Sequence, residues 1–143
     1  MGKKIDLRAI KALNVAVCYK NPEEVVEYAK KLEHIGPAEK LALSVAVNDD
    51  ATDVNKLQSE LNKTSLLTLV TKPHANLGYL GGMTEAAKAF ESEFGKAPGW
   101  IIMSNTDISY PDSDFFRRLL STQYDEDIWC IGPSIFVPSK NAY

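Results

Sequence analysis

The chain has 143 residues, the size of a single domain, and its 45% hydrophobic and 24% charged residues match soluble globular averages, which excludes disorder and fibrous repeats. Sixteen Lys and Arg against 19 Asp and Glu leave a net charge of −3, so the clustered basic face that nucleic-acid binding asks for is not expected. No apolar run approaches the roughly 18 residues of a membrane span.

Gly2, Lys3 and Lys4 open the chain on a basic note, but Asp6, Arg8 and Lys11 follow too soon for a signal peptide. Asp6 also stands where a myristoylation signal wants Ser or Thr. The first strand is predicted over residues 14–19, an apolar run holding Val15, Val17 and Cys18. A helix follows: Asn21 is the expected cap, Pro22 suits the first turn, and Glu23 and Glu24 face the positive end of the dipole. Val25, Tyr28, Ala29, Leu32 and Ile35 recur at helical spacing until Gly36 and Pro37 stop it.

A second strand over residues 41–47 runs into Asn48, Asp49 and Asp50, before a polar helix over 52–61 and a third strand over 66–70. Residues 76–82, with Gly78, Gly81 and Gly82, read as a flexible turn. Behind it, Met83, Ala86, Ala87, Phe90 and Phe94 share one apolar helix face. Residues 100–103 make a fourth strand, predicted to be buried, which opens into the polar stretch 104–112. Asp112 or Ser113 is expected to cap a short helix turning Phe115, Phe116, Leu119 and Leu120 inward, and residues 128–137 read as a fifth strand. Strands alternating with helices predict an α/β domain: Rossmann-like, three layers, with a mostly parallel sheet. Cys18 and Cys130 lie in apolar runs and are expected to be small buried hydrophobes in a reducing compartment, which points to the cytoplasm.

In a parallel sheet the polar residues at strand ends share one rim, where ligands of open α/β sheets bind. Tyr19 and Asn21 follow strand one, Asp49 and Asp50 strand two, and Asn105, Thr106 and Asp107 strand four, while the glycine segment precedes a helix. Each group also has a plain reading. Asp49 and Asp50 suit a helix cap, the glycines suit any turn, and residues 105–107 suit an Asx turn. His34 and His74 lack partners at ligand spacing, and Tyr19 alone suits packing. No GxGxxG, P-loop or Gly-x-Ser-x-Gly elbow is present.

Taken together, residues 15–19, Val47-Asn48-Asp49-Asp50-Ala51-Thr52-Asp53, Asn76-Leu77-Gly78-Tyr79-Leu80-Gly81-Gly82 and Ser104-Asn105-Thr106-Asp107 resemble the donor-binding half of family-2 glycosyltransferases with the GT-A fold. The resemblance implies a metal-dependent, inverting transfer of sugar from a UDP-, GDP- or TDP-linked donor to a hydroxyl of a glycan or lipid-linked acceptor, in polysaccharide synthesis. By the same resemblance Tyr19 packs on the base, Asp49 accepts from a base N–H, and Asn21, Asp50, Asn76, Gly78, Gly81, Gly82, Asn105 and Thr106 line the nucleotide site. Asp107 would hold Mg²⁺ or Mn²⁺, which offsets charge on the departing diphosphate. The location it implies is cytoplasmic or peripheral to the inner membrane face.

This sequence departs from the family pattern. Asn105 stands where many members place Asp, Asn48 and Ala51 replace commoner Asp and Ser, and Thr84 and Ala86 stand for Asn and Gly. The acceptor half, with the general base, would follow Tyr143, so residues 1–143 are expected to be one donor-binding domain with an exposed edge prone to self-association. The competing expectations are a regulatory or non-catalytic α/β module using Asp49, Asp50 and Asp107 for phosphate or metal, and a structural module without turnover.

Overall fold

The computed structural model describes residues 6–110 and 114–132. Four strands, β1 (Ala12–Cys18), β2 (Leu41–Val47), β3 (Leu67–Thr71) and β4 (Trp100–Met103), alternate with four helices, α1 (Pro22–Ile35), α2 (Val54–Leu61), α3 (Gly78–Phe94) and α4 (Asp114–Ser121). All strand pairs are parallel and the order is β3-β2-β1-β4. Strand order therefore reverses between β1 and β4, the switch point at which a Rossmann-like sheet opens a crevice.

Side-chain alternation along the strands divides the core into two layers. Ala12, Ala16 and Cys18 of β1, with Leu43, Val45 and Val47 of β2, pack against Val25, Tyr28 and Leu32 of α1, Leu57 and Leu61 of α2, and Phe116 of α4. On the other face Leu13, Val15, Val17, Ala42 and Ala46 meet Met83, Ala86 and Phe90 of α3. The helix, sheet and helix layers match the expected three-layer architecture. Small residues let α3 lie close: Ser44 Oγ donates to the carbonyl of Ala86 at 2.7 Å. A Cβ on Gly82 would stand 2.6 Å from Val17 Cγ2 and 2.9 Å from Asn48 Nδ2, so only glycine fits without a shift.

Several local expectations change. Asn21 holds the cap position of α1, but its side chain makes no cap hydrogen bond; its Oδ1 instead accepts the backbone N–H of Tyr19 at 2.8 Å. The cap of α2 is Asp53, whose carboxylate accepts the Lys56 N–H at 3.0 Å, so Asp49 and Asp50 are not caps. The glycine segment is not a free turn, because α3 begins at Gly78 itself (φ +68°).

Among the described residues β4 pairs with β1 alone, and it is not buried. Ile101 and Met103 are 46% and 48% exposed, because α3 lies over β1, β2 and β3 and leaves the outer face of β4 open. Residues 128–132 form no strand, and Cys130 is exposed rather than buried. The rest of the expected fifth strand (133–137), the caps Asp112 and Ser113, and Tyr143 lie outside the described residues.

Candidate functional site

Because the sheet is all parallel, the C-terminal ends of its strands form one rim, and hydrogen bonds lace that rim from β3 to β4. Lys72, just past β3, donates Nζ to the carbonyl oxygen of Asp49 and, at 3.0 Å, to the carboxylate of Asp50. The Asp49 carboxylate accepts the Lys20 N–H at 2.8 Å, the N–H groups of Ala51 and Thr52 at 2.9 and 2.8 Å, and the Thr52 hydroxyl at 2.9 Å. Burial alone would raise the Asp49 pKa, but these donors together outweigh it and hold the carboxyl below its ordinary range. A carboxylate offers about four lone-pair sites, so the chain itself engages Asp49 to capacity. Lys20 needs this clamp: its φ of +59° is a left-handed conformation that costs a non-glycine residue about 1 kcal/mol.

The β1/β4 crevice lies beyond Asp49. The β1–β4 ladder pairs Ala12 with Trp100 through Val15 with Met103, while β1 continues to Cys18 without a β4 partner. Tyr19 leaves the β1 lip half exposed, with Lys20 Nζ 5.3 Å from the centre of its ring. On the β4 lip, Ser104 Oγ meets Tyr28 Oη at 2.5 Å, and Tyr28 Oη lies 3.5 Å from that of Tyr110. Burial pushes the Tyr28 phenol well above its usual range, with Tyr110 adding to the effect and the Ser104 bond opposing it. Thr106 is buried between exposed Asn105 and exposed Asp107.

A third wall comes from α3. Asn76 Oδ1 accepts the Gly78 N–H at 2.9 Å, and Asn48 Nδ2 donates to the Gly78 carbonyl at 2.8 Å, which ties the start of α3 to the end of β2. Gly81 sits in the first turn, and Tyr79 and Leu80 beside it are exposed. Leu77, at the cap position of α3, makes no side-chain cap bond, and Asn76 takes the Gly78 N–H, so only the first-turn N–H groups after Gly78 are left without a side-chain acceptor.

The structure thus brings Tyr19, Asn21, Asn105, Thr106 and Asp107 to the crevice, sets Asn76, Gly78, Gly81 and Gly82 at the start of α3, and places Asp49 and Asp50 in the ties along the rim. Sequence reasoning missed Glu24, reading it only as a dipole partner. Its Oε1 accepts from Asn21 Nδ2 at 2.8 Å and from Thr106 Oγ1. The Asn21-x-x-Glu24 spacing at a helix start was the available signal, since it is that of a capping box.

Among the described residues, no group of three or more His, Cys, Asp and Glu side chains is placed to hold a metal ion. Asp107 is the exposed carboxylate of the β4 lip. Mg²⁺ and Mn²⁺ accept such a sparse donor set, because they take one or two carboxylates and fill the remaining positions with water and substrate phosphate oxygens. No helix of the described residues is long and apolar enough to cross a membrane. Comparison with models of known families, with curated proteins and with solved structures finds no match to this chain.

Proposed function

We propose that the chain is the donor-binding domain of a glycosyltransferase of the family-2, GT-A type, which holds a nucleoside-diphosphate sugar in the β1/β4 crevice. The observation that carries this reading is the reversal of strand order between β1 and β4, with an exposed aromatic on one lip and an exposed Asn-Thr-Asp segment on the other. Tyr19 offers the base a face to stack on. The start of α3, past the Gly78 N–H that Asn76 takes, offers backbone N–H groups to the diphosphate, and glycines there let the ligand approach closely.

Asp107, with the amide of Asn105, is the group that would hold Mg²⁺ or Mn²⁺. The bound ion would neutralise charge building on the diphosphate as it leaves. Asp49 has a different part in this scheme than direct contact with the base. Its carboxylate shapes the Lys20 turn and so aims Tyr19. The reaction class is inverting transfer of sugar to an acceptor hydroxyl of a glycan or a lipid-linked glycan.

Calorimetric titration with UDP, GDP and TDP, each with and without Mn²⁺, tests the proposal. One of the three binds at millimolar or lower concentration, and chelating the metal abolishes the heat. If all three fail to bind at millimolar concentration with metal present, the donor-site reading falls.

A further inference from the structure

The two lips of the crevice are joined by sheet hydrogen bonds only up to Val15 and Met103, with one longer bond from the Ser104 N–H to the Val15 carbonyl at 3.4 Å. Above that point the strands part. Ser104 Oγ then meets Tyr28 Oη of α1 at 2.5 Å, and beyond it comes a connection of three side chains. Asn21 Nδ2 donates to Glu24 Oε1 at 2.8 Å, Thr106 Oγ1 donates to the same oxygen, and Asn21 Nδ2 lies 3.5 Å from Thr106 Oγ1. The ring closes across the crevice: Asn21 and Glu24 belong to the cap and first turn of α1, and Thr106 to the loop after β4.

Each member also holds something that faces the ligand space. Asn21 Oδ1 accepts the Tyr19 N–H at 2.8 Å, which sets the backbone carrying the exposed ring. Thr106 is 5% exposed and directly precedes Asp107, so its anchorage sets where that carboxylate leaves the loop. Both donors end on a carboxylate, and hydrogen bonds to an ionised acceptor are roughly twice as strong as neutral ones. Glu23, one residue earlier on the same exposed turn, is not part of the ring.

We propose that Glu24 is a positioning residue that pins the two lips of the β1/β4 crevice, fixing Tyr19 and Asp107 relative to each other for a ligand carrying both a planar base and a metal-bound diphosphate. The choice of ligand rests on the donor-site reading above. The pin itself does not.

The test compares Glu24→Ala, Glu24→Gln, Thr106→Val and the control Glu23→Ala by amide hydrogen exchange, by thermal unfolding, and by titration with UDP and with GDP in the presence of Mn²⁺. Glu24→Ala and Thr106→Val should speed exchange of amides 105–107 about tenfold while the β1 amides stay protected. They should also weaken nucleotide binding about tenfold. Glu24→Gln, which keeps an acceptor oxygen, should restore most of both. Glu23→Ala should lose the same dipole interaction and change neither. Unchanged exchange at 105–107 in Glu24→Ala overturns the pin, as does an equal change in Glu23→Ala. If wild type binds neither nucleotide yet exchange responds as stated, the donor-site reading fails and the pin stands.

Discussion

The closed part of the sheet, β1 and β2, and its open side at β4 use similar residues to opposite ends. β1 and β2 are buried along their whole length between helices, whereas β4 covers Trp100 and Ile102 and leaves Ile101 and Met103 in solvent. The rim follows the same division. On the closed side the Asp49 carboxylate is engaged by four donors, with Asp50 beside it exposed though in reach of Lys72, while on the open side Asn105 and Asp107 are exposed. A carboxylate after a strand becomes architecture where neighbouring N–H groups converge on it. It stays exposed where no such donors converge.

The largest effect should come from breaking the closed side at its clamp. Asp49→Ala frees the N–H groups of Lys20, Ala51 and Thr52 and leaves the left-handed Lys20 turn without its anchor. A loss of about 3 kcal/mol in urea unfolding is expected, given that single hydrogen bonds to charged groups contribute about 1.5–3 kcal/mol and do not add fully. The Asp49 pKa is depressed in the folded state, so the unfolded chain binds the proton more tightly. Its contribution is therefore complete above the ordinary aspartate pKa of about 4 and fades as pH falls through the lower folded value. An acid titration of stability checks this: Asp49→Asn should flatten the fall below about pH 4, and an unchanged slope would reassign it to other carboxyls.

A smaller loss tests how α3 is seated. Gly82→Ala pushes a methyl into Val17 and Asn48, and overpacking of this kind costs about 1–3 kcal/mol. The same change disturbs the Asn48–Gly78 hydrogen bond that ties α3 to β2. Chemical denaturation of Gly82→Ala beside Gly99→Ala, where a Cβ meets nothing within 4 Å, separates the packing cost from the loss of glycine's freedom. Equal losses at both positions would show that α3 does not pack as closely as described.

These cases also show which parts of the fold could be read in advance. Strand β2 and helix α1 were legible because their patterns are long, uninterrupted and bounded by Gly36, Pro37 and Asn48. The strand ends that build the rim were legible for the same reason, since each polar group follows an apolar run. What each polar side chain does there was not legible. Asp49 and Asp50 both suited a cap, and only the geometry of the turn decides that Asp53 meets the Lys56 N–H while Asp49 gathers the donors around Lys20. Glu24 was missed because its partner Thr106 is distant in sequence. The burial of β4 was misjudged because an apolar tetrapeptide reads alike at the centre of a sheet and at its edge; the neighbours on its outer face decide, and they are long-range.

At the open lip, Asp107→Ala should leave unfolding within about 0.5 kcal/mol of wild type, as is usual for exposed substitutions without a structural partner. Metal-dependent nucleotide binding should fall more than tenfold, which titration against UDP and GDP with Mn²⁺ reads directly. A binding curve that keeps its metal dependence in this variant would remove Asp107 from the site and leave the contrast between the two sides without its functional half.

The smallest expected effect is the sharpest probe of where the closed region ends. Residues 100–106 carry neither charge nor proline, the usual guards of an edge strand. If the outer face of β4 stands open in solution, Ile101→Thr and Met103→Thr remove side chains already about half in water, and stability should change by no more than about 0.5 kcal/mol. Val45→Thr on fully buried β2 makes the counterpart: a hydroxyl set among Leu43, Val47 and the α1–α2 face should cost about 1–3 kcal/mol. Sedimentation velocity adds the second readout, because exposed apolar surface promotes association. The Ile101→Thr, Met103→Thr double variant should therefore self-associate less than wild type at equal concentration. A loss of stability as large as that of Val45→Thr would mean that this face is covered in solution, and the boundary between the closed and open regions would move outward past β4.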